Sequence, residues 1–228
     1  WLASHAVLPG IAFVTLAALF ATTDLDPAIA RAWAFDAALG TFPARHAWWA
    51  NELLHTSGKY MVSTVGLASA GAWIASFFGT GWRAYRRPAL FAFVAIGLGI
   101  STVAILKEIT NVDCPWDLAG FGGTRPYVHL FGDRPDDLPH AACFPGAHAA
   151  SGFALMAFYF VMRERARAAA FVALALGIAA GATFSFGQEA RGAHFLSHDL
   201  WSAFVVWFTQ LGLYAGAFRA RLWPRPAI

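Results

Sequence analysis

A short stretch near the carboxyl end of the chain, RGAHFLSHD at residues 191–199, places an arginine, two histidines and an aspartate between two long apolar runs. Two more residues of this kind stand at the ends of apolar runs: Lys107 closes one run and His148 opens another. Lysine and arginine bind phosphate oxygens, and histidine acts as a nucleophile or as an acid that protonates a leaving alcohol. Together these residue types indicate chemistry on a phosphate ester.

The elements that must position these residues are membrane-spanning helices. Of the 228 residues, 58% are hydrophobic and 13% are charged, and the mean hydropathy is +0.53, which excludes an ordinary soluble protein. Six segments are apolar enough to cross a bilayer core of roughly 30 Å. They are residues 6–22, 60–80, 88–106, 147–162, 168–187 and 200–218. We therefore expect an all-α membrane protein with one domain, 1–228, and no signal peptide.

The arginines predict how this bundle is oriented. They collect in three places: Arg83, Arg86 and Arg87; Arg163, Arg165 and Arg167; and Arg219, Arg221 and Arg225. Positive residues in short loops are retained in the cytoplasm, so the sequence predicts that both termini are cytoplasmic. The other connections, which include residues 23–59 and 108–146, then face outward. The net charge of +3 reflects this topology, and no basic surface interleaved with aromatic residues indicates a nucleic-acid partner.

The outward connections differ in composition. Residues 23–59 read as one or two amphipathic helices at the membrane interface, with several tryptophans on the apolar side. Residues 108–146 are rich in glycine, proline and aspartate, and they carry Cys114 and Cys143 near their two ends. In an oxidising compartment a disulfide would close this loop, and the alternative is two independent free thiols. No Cys-x-x-Cys spacing indicates a metal site.

The phosphate-directed residues are expected at one membrane surface. Lys107 ends the third segment, His148 opens the fourth, and Arg191 and His194 end the fifth. The stretch PGAH places small residues at a helix start, where free backbone N–H groups favour an anion. The predicted topology therefore gathers cations, histidines and backbone donors on the outward face.

The three stretches LKEITNVDCP, CFPGAHAAS and RGAHFLSHD occur in this order at helix ends. They resemble the three signature motifs of the type 2 phosphatidic acid phosphatase (PAP2) superfamily, which are Lys-x6-Arg-Pro, Pro-Ser-Gly-His and Ser-Arg-x5-His-x3-Asp. The resemblance implies a six-helix transmembrane bundle with short interfacial helices in the periplasmic loops. It also implies a lipid phosphatase of a bacterial inner membrane that works without a cofactor or a metal ion.

In the first motif, the resemblance makes Lys107 a phosphate-binding residue and matches Pro115 to the proline. Cys114 stands where the family has its arginine. One phosphate contact is therefore missing or relocated. Arg125, in an Arg-Pro pair a little downstream, is a possible replacement.

In the second motif, Pro145 and His148 match, whereas Gly146 replaces the serine and Ala147 replaces the glycine. The lost hydroxyl removes one donor, and the backbone N–H groups of Gly146 and Ala147 are expected to bind phosphate in its place. The resemblance makes His148 the acid that protonates the departing lipid oxygen.

In the third motif, His194 matches the nucleophile. His198 stands at the aspartate position and Asp199 follows it, so either residue is a candidate for orienting His194; a carboxylate is favoured because it offsets the positive imidazole. The family arginine falls at Gln188, and Arg191 comes three residues later. Three residues are nearly one helical turn, so Arg191 and Gln188 are expected to share a face.

The resemblance implies hydrolysis of a phosphorylated lipid, such as lipid A, a prenyl diphosphate or a glycerophospholipid phosphate, through a phosphohistidine. The nearest alternative is a phosphotransferase that passes the phosphoryl group to an acceptor lipid. More distant alternatives are a lipid-binding protein without catalysis and a haem protein. The remaining histidines are expected at the interface or in loops; they are His5, His46, His55, His129 and His140.

Overall fold

A computed structural model describes residues 1–219 and 222 of the chain, and within them the structure is helical with no β-strand. The helices are α1 (Leu8–Thr22), α2 (Leu25–Trp33), α3 (Ser57–Ala75), α4 (Arg86–Thr110), α5 (Ala147–Phe153), α6 (Ala157–Met162), α7 (Arg167–Ala190) and α8 (Leu196–Leu213). Short helical turns extend several of them, namely Ala3–Val7 before α1, Trp49–Thr56 before α3, Ala154–Met156 between α5 and α6, and Tyr214–Phe218 after α8. The all-α prediction is confirmed for the described chain.

Four of the described helical segments are long and apolar enough to cross a membrane: Ala3–Thr22, Thr80–Asp117, Arg167–Ala190 and Leu196–Phe218. These segments make the chain a membrane protein. Ala147–Met162 is a shorter apolar helix, and α3 is not among the four because glycine and hydroxyl residues lower its hydropathy. The structure therefore does not confirm the six crossings expected from the sequence.

Helices α5 and α7 approach each other closely through glycines. A Cβ atom on Gly152 would lie 2.6 Å from the backbone nitrogen of Gly181, and one on Gly177 would lie 2.6 Å from the nitrogen of Met156. Small residues spaced by four along a membrane helix let two backbones pack in this way. The contact holds α5, which carries His148, against α7, which leads to Arg191.

A break between α5 and α6 is stabilised from the neighbouring helix. The turn Ala154–Met156 interrupts the α-helical pattern, and the fully buried Gln210 of α8 donates a hydrogen bond to Ala154 O at 2.7 Å. Backbone carbonyls inside a membrane need such partners because lipid offers none. The short segment Ala147–Met162 thereby packs in the centre of the bundle.

A second, smaller core lies beneath the outward connections. It contains Ala30 from α2 and the rings of Phe42, Phe121 and Phe195, with Phe42 and Phe121 stacked at 5.6 Å between centroids. Gly192 closes this core because its φ of +74° and its contact with the Phe42 ring both exclude a side chain. Residues 23–59 and 108–146 are thus packed onto the turn between α7 and α8.

Arg86, Arg163 and Arg219, one from each arginine cluster used to predict orientation, lie at the end of the bundle away from that turn. Arg86 at the start of α4 donates to Ser76 O at 2.8 Å, which joins α4 to the end of α3. Arg163 follows α6 and Arg219 follows α8. Arg221 and Arg225, which also entered the charge argument, lie outside the described residues.

Substitution Gly152→Ala tests the glycine contact. The added methyl must displace the α7 backbone, and overpacking of this kind costs about 1 to 3 kcal/mol. We expect a lower midpoint of thermal unfolding in detergent. Gly97→Ala on α4 is the matched control, since a Cβ at Gly97 meets no atom within 4 Å and alanine stabilises a helix by roughly 1 kcal/mol over glycine. Equal midpoints for the two variants would contradict the close packing.

Candidate functional site

Backbone hydrogen bonds join the three motif segments into one surface. They run from Cys143 N to Val112 O (3.1 Å), from Gly146 N to His198 O (3.1 Å) and from Trp116 N to Gly192 O (2.9 Å). A disulfide between Cys114 and Cys143, with their Cα atoms 5.2 Å apart, connects the first segment to the second. The ends of α4 and α7 and the starts of α5 and α8 are therefore held in a fixed relation.

His194 and Asp199 form a buried pair at the centre of this surface. Nδ1 of His194 lies 2.7 Å from Oδ1 of Asp199, and the side chains are 5% and 1% exposed. A carboxylate only accepts hydrogen bonds, so Nδ1 carries the proton and Nε2 is the nitrogen with a free lone pair. Asp199 lies in the first turn of α8, where the helix dipole stabilises a negative charge.

The surroundings of His194 keep its imidazole neutral. Burial lowers its pKa to about 3, and the positive charges of Lys107 and Arg191 contribute in the same direction. A neutral imidazole retains the lone pair on Nε2 across the physiological pH range. The site therefore presents a histidine nitrogen next to two cations.

The second candidate for orienting His194, His198, contacts a different group. Its Nδ1 lies 3.0 Å from Cys143 O, and its ring packs edge-on against Phe144, with the centroids 5.3 Å apart. The His198 and His194 ring centroids are 6.0 Å apart. In this structure Asp199 accepts the hydrogen bond from Nδ1 of His194, and His198 links the start of α8 to the segment before α5.

Gly146 contacts the His194–Asp199 pair directly. A Cβ atom at this position would clash with Asp199 Oδ1 and would lie 2.6 Å from His194 Nδ1. The N–H of Gly146 donates to His198 O in this structure, and phosphate binding by this backbone group stays a prediction. Ala147 begins α5, whose first turn has no side-chain cap.

Arg191 is held by the residue at the family's arginine position. One terminal nitrogen of Arg191 donates to Gln188 Oε1 at 3.2 Å, so the two residues share a face as helix periodicity indicates. Within the described residues, the buried Nε of Arg191 has no hydrogen-bond partner. Burial lowers the pKa of Arg191, and an unpaired buried donor of this kind suits an anionic ligand.

His148 is held by a hydrogen bond to a backbone carbonyl and by contacts with two rings. Its Nε2 is 3.1 Å from Leu54 O, and its ring stacks on Phe184 with the centroids 4.5 Å apart. A carbonyl accepts a hydrogen, so Nε2 carries the proton and Nδ1 is the nitrogen available for proton exchange. The ring of His55 lies 4.4 Å from that of His148.

His55 was assigned to the interfacial loop from sequence, and its place beside His148 was missed. Its Nδ1 accepts a hydrogen bond from Gln188 Nε2 at 3.0 Å. Burial lowers the pKa of His55, and the charges of Arg191 and Lys59 lower it further. No motif or spacing in the sequence connects His55 with positions 148 and 188.

Asp26 is a second residue that the sequence did not single out. Its carboxylate accepts hydrogen bonds from the backbone N–H of Ser197 at 3.0 Å and from the Ser197 hydroxyl at 2.5 Å. The side chain is buried, and burial raises its pKa to about 6. Asp26 therefore ties α2 to the first turn of α8, two residues before Asp199.

Arg125, the possible replacement for the motif arginine, forms an ion pair with Asp113. Arg134 binds the same carboxylate, with Nε 2.8 Å from Oδ2. Cys114, at the motif arginine position, is in the disulfide. The structure thus pairs Arg125 with Asp113 within the 108–146 loop, and phosphate binding by Arg125 stays a prediction.

No metal site accompanies this histidine cluster in the part of the chain that the structure describes. Among those residues, no group of three or more His, Cys, Asp or Glu side chains is arranged to hold a metal ion.

A small cavity of about 70 Å³ adjoins His198 and is lined by Asp26, Tyr127 and Arg134. The positive side chains of Lys107 and Arg191 lie close enough to His194 to contribute to lowering its pKa.

Comparison with known proteins assigns the family. The model of the PAP2 superfamily matches residues 88–222, more than half of the chain and all three motif segments. This membrane protein therefore belongs to the PAP2 superfamily, as the sequence motifs indicated, and membership supports phosphatase activity on a phosphoryl ester. Neither a curated protein nor a solved structure matches the chain.

Gly146→Ser restores the family residue, and we expect it to lower phosphate release by at least about a hundredfold, because displacing a catalytic group by an ångström has that effect. The new Cβ must push Asp199 and His194 apart. Ala147→Gly, which restores the neighbouring family residue, is the control and is expected to retain most activity. Assays of both variants with a phosphorylated lipid in detergent make the comparison, and an active Gly146→Ser would refute the close contact.

Asp26→Asn is expected to change how stability depends on pH. The carboxyl of Asp26 titrates near pH 4 when unfolded and at about 6 when folded. The folded state holds the proton more tightly, so wild-type stability relative to the variant falls as pH rises from about 4 to about 6. Midpoints of thermal unfolding, measured for both proteins from about pH 4 to about pH 6, should show this fall in relative stability. The same pH dependence of the midpoint in the wild type and in Asp26→Asn would contradict the shift.

Proposed function

We propose that this chain is a membrane lipid phosphatase that works through a phosphohistidine on His194. One observation carries the proposal: Asp199 holds Nδ1 of the buried, neutral His194, which leaves Nε2 as a nucleophile beside Lys107 and Arg191. Orientation of a histidine by a carboxylate is a recurring arrangement in catalysis. Membership in a phosphatase family supports the same reaction class.

In the first step, Nε2 of His194 attacks phosphorus. The P–N bond forms as the bond between phosphorus and the lipid oxygen breaks, and the departing oxygen takes the proton that Nδ1 carries in the imidazolium form of His148. Asp199 stabilises the positive charge that develops on the imidazole. Arg191, with its unpaired Nε, and Lys107 stabilise the negative charge on the transferring oxygens.

In the second step, His148 accepts a proton from water, and the water oxygen attacks phosphorus. The P–N bond breaks, phosphate leaves and His194 returns to its neutral form. The scheme uses side chains alone and no metal ion. His55 adjoins His148 and serves as a positioning residue for its ring.

The proposed substrate is a lipid because the site lies at the ends of membrane helices. An aromatic group flanks it, in which Phe186 of α7 packs on Trp33 at 5.1 Å and on Trp49 at 5.9 Å between centroids. Tryptophan favours the membrane interface, so this group marks the level of the headgroups. The candidate substrates are lipid A, a prenyl diphosphate and a glycerophospholipid phosphate.

The proposed location is the inner membrane of a bacterium, with the site facing the periplasm and both termini in the cytoplasm. Arg86, Arg163 and Arg219, one from each arginine cluster, lie at the end of the bundle opposite His194. Retention of positive charge in the cytoplasm supports this orientation. A disulfide between Cys114 and Cys143 also suits an oxidising compartment.

His194→Ala is expected to lower phosphate release by at least about a thousandfold, since loss of a nucleophile removes the covalent route. His148→Ala should cost about a hundredfold or more through loss of the acid. His46→Ala, at an exposed loop position, is the control and should remain active. The assay offers phosphorylated lipids in detergent and follows free phosphate and phosphorylated acceptor lipid by mass spectrometry.

Full activity in His194→Ala would overturn the assignment of the nucleophile. Transfer of phosphate mainly to a second lipid in the wild type would instead identify a phosphotransferase that uses the same histidine.

A further inference from the structure

A groove separate from the His194 site runs between α1 and the helices α6, α7 and α8. Its volume is about 920 Å³, within the range of roughly 300 to 1,000 Å³ typical of ligand sites. We propose that this groove, named here the Arg163 groove, binds one anionic phospholipid, with its chains along the groove and its phosphate at Arg163.

The walls of the Arg163 groove suit acyl chains. They are formed by apolar residues of α5, α7 and α8, among them Phe153, Leu174, Ile178 and Phe204. Helix α1 covers one side only loosely, since Phe20 is its single buried residue. A lipid chain between α1 and α7 would cover apolar surface that the described part of the bundle leaves open.

At one end of the groove, polar side chains are joined by hydrogen bonds. His5 Nε2 lies 2.6 Å from the Tyr159 hydroxyl and 3.2 Å from a terminal nitrogen of Arg163. His5 Nδ1 contacts Trp1 O at 2.9 Å, so Nδ1 carries the proton and Nε2 accepts from both partners. A neutral imidazole thus fixes the guanidinium without neutralising its charge.

The positive charge at this end has no protein counter-ion in the residues that the structure describes. Neither Arg163 nor Arg167, which also lines the groove, appears in an ion pair there. The nearby carboxylate of Glu164 accepts instead from the Tyr214 hydroxyl at 2.6 Å. Arginines that lie between membrane helices without a carboxylate partner form the kind of pocket that binds anionic headgroups, so charge complementarity selects an anionic lipid.

The groove lies apart from the proposed chemistry. Arg163 follows α6 at the opposite end of the bundle from His194, and the groove is lined on α8 by Leu200, Ala203, Phe204 and Trp207. Leu200 is adjacent to Asp199 in sequence, so the lipid would pack along the helix that carries this carboxylate. The lipid would therefore act as a structural ligand of α1 and α8 in the opposite membrane leaflet.

The test incubates delipidated protein in detergent with equimolar phosphatidylglycerol and phosphatidylcholine and counts bound lipid by native mass spectrometry. Both probes are phosphodiesters, so neither offers a terminal phosphate for the proposed hydrolysis. We expect one phosphatidylglycerol per chain, and Arg163→Gln should weaken its binding about five- to tenfold, as loss of one arginine contact predicts. Ala182→Phe, at an exposed position of the groove wall, should reduce binding by filling the groove.

Arg87→Gln is the matched control, because Arg87 is exposed at the same end of the bundle and outside the groove. It should bind phosphatidylglycerol as the wild type does. Equal retention of phosphatidylcholine, or unchanged binding in Arg163→Gln, would overturn the proposal. Phosphate release is measured separately, so an inactive protein that still selects phosphatidylglycerol would reject the proposed function and keep the lipid site.

Discussion

The close approach of the Gly146 backbone to the His194–Asp199 pair is the contact on which the site depends. Gly146 donates to His198 O, and its own carbonyl accepts from the buried Ser202 hydroxyl at 2.9 Å. These bonds fix the start of α5 against the first turn of α8. Because a side chain at position 146 would enter the space of Asp199, the glycine and the position of the carboxylate depend on each other.

Where this chain departs from the family motifs, the replacing residues also depend on contacts within the site. Asp199 stands one residue after the family position, and Gly146 leaves the space that its carboxylate occupies. The family arginine is replaced by Gln188, which accepts a hydrogen bond from Arg191 one turn later. Cys114, at the other arginine position, forms a disulfide that pins the first motif to the second. The substitutions preserve a carboxylate on the histidine and a guanidinium beside it.

Local periodicity and hydropathy predicted the helices and the shared face of Arg191 and Gln188, because those features depend on residues within one or two turns. The position of Asp26 was not predictable, since its contact with Ser197 spans 171 residues and involves no motif. His55 was missed for the same reason. The number of spans was also not settled by the sequence, because polar residues of α3, among them the exposed Lys59, Ser63 and Thr64, keep its hydropathy below that of the four spanning segments.

Direct detection of phosphate on His194 tests the central claim most sharply. An aryl phosphate with a good leaving group needs little help from an acid, so the His148→Ala variant should still form the phosphohistidine and release it slowly. Rapid quenching under alkaline conditions, followed by peptide mass spectrometry, locates the modification. We expect acid-labile phosphate on His194 of this variant. Phosphate on another residue, or turnover of the aryl phosphate with no covalent intermediate, would contradict it.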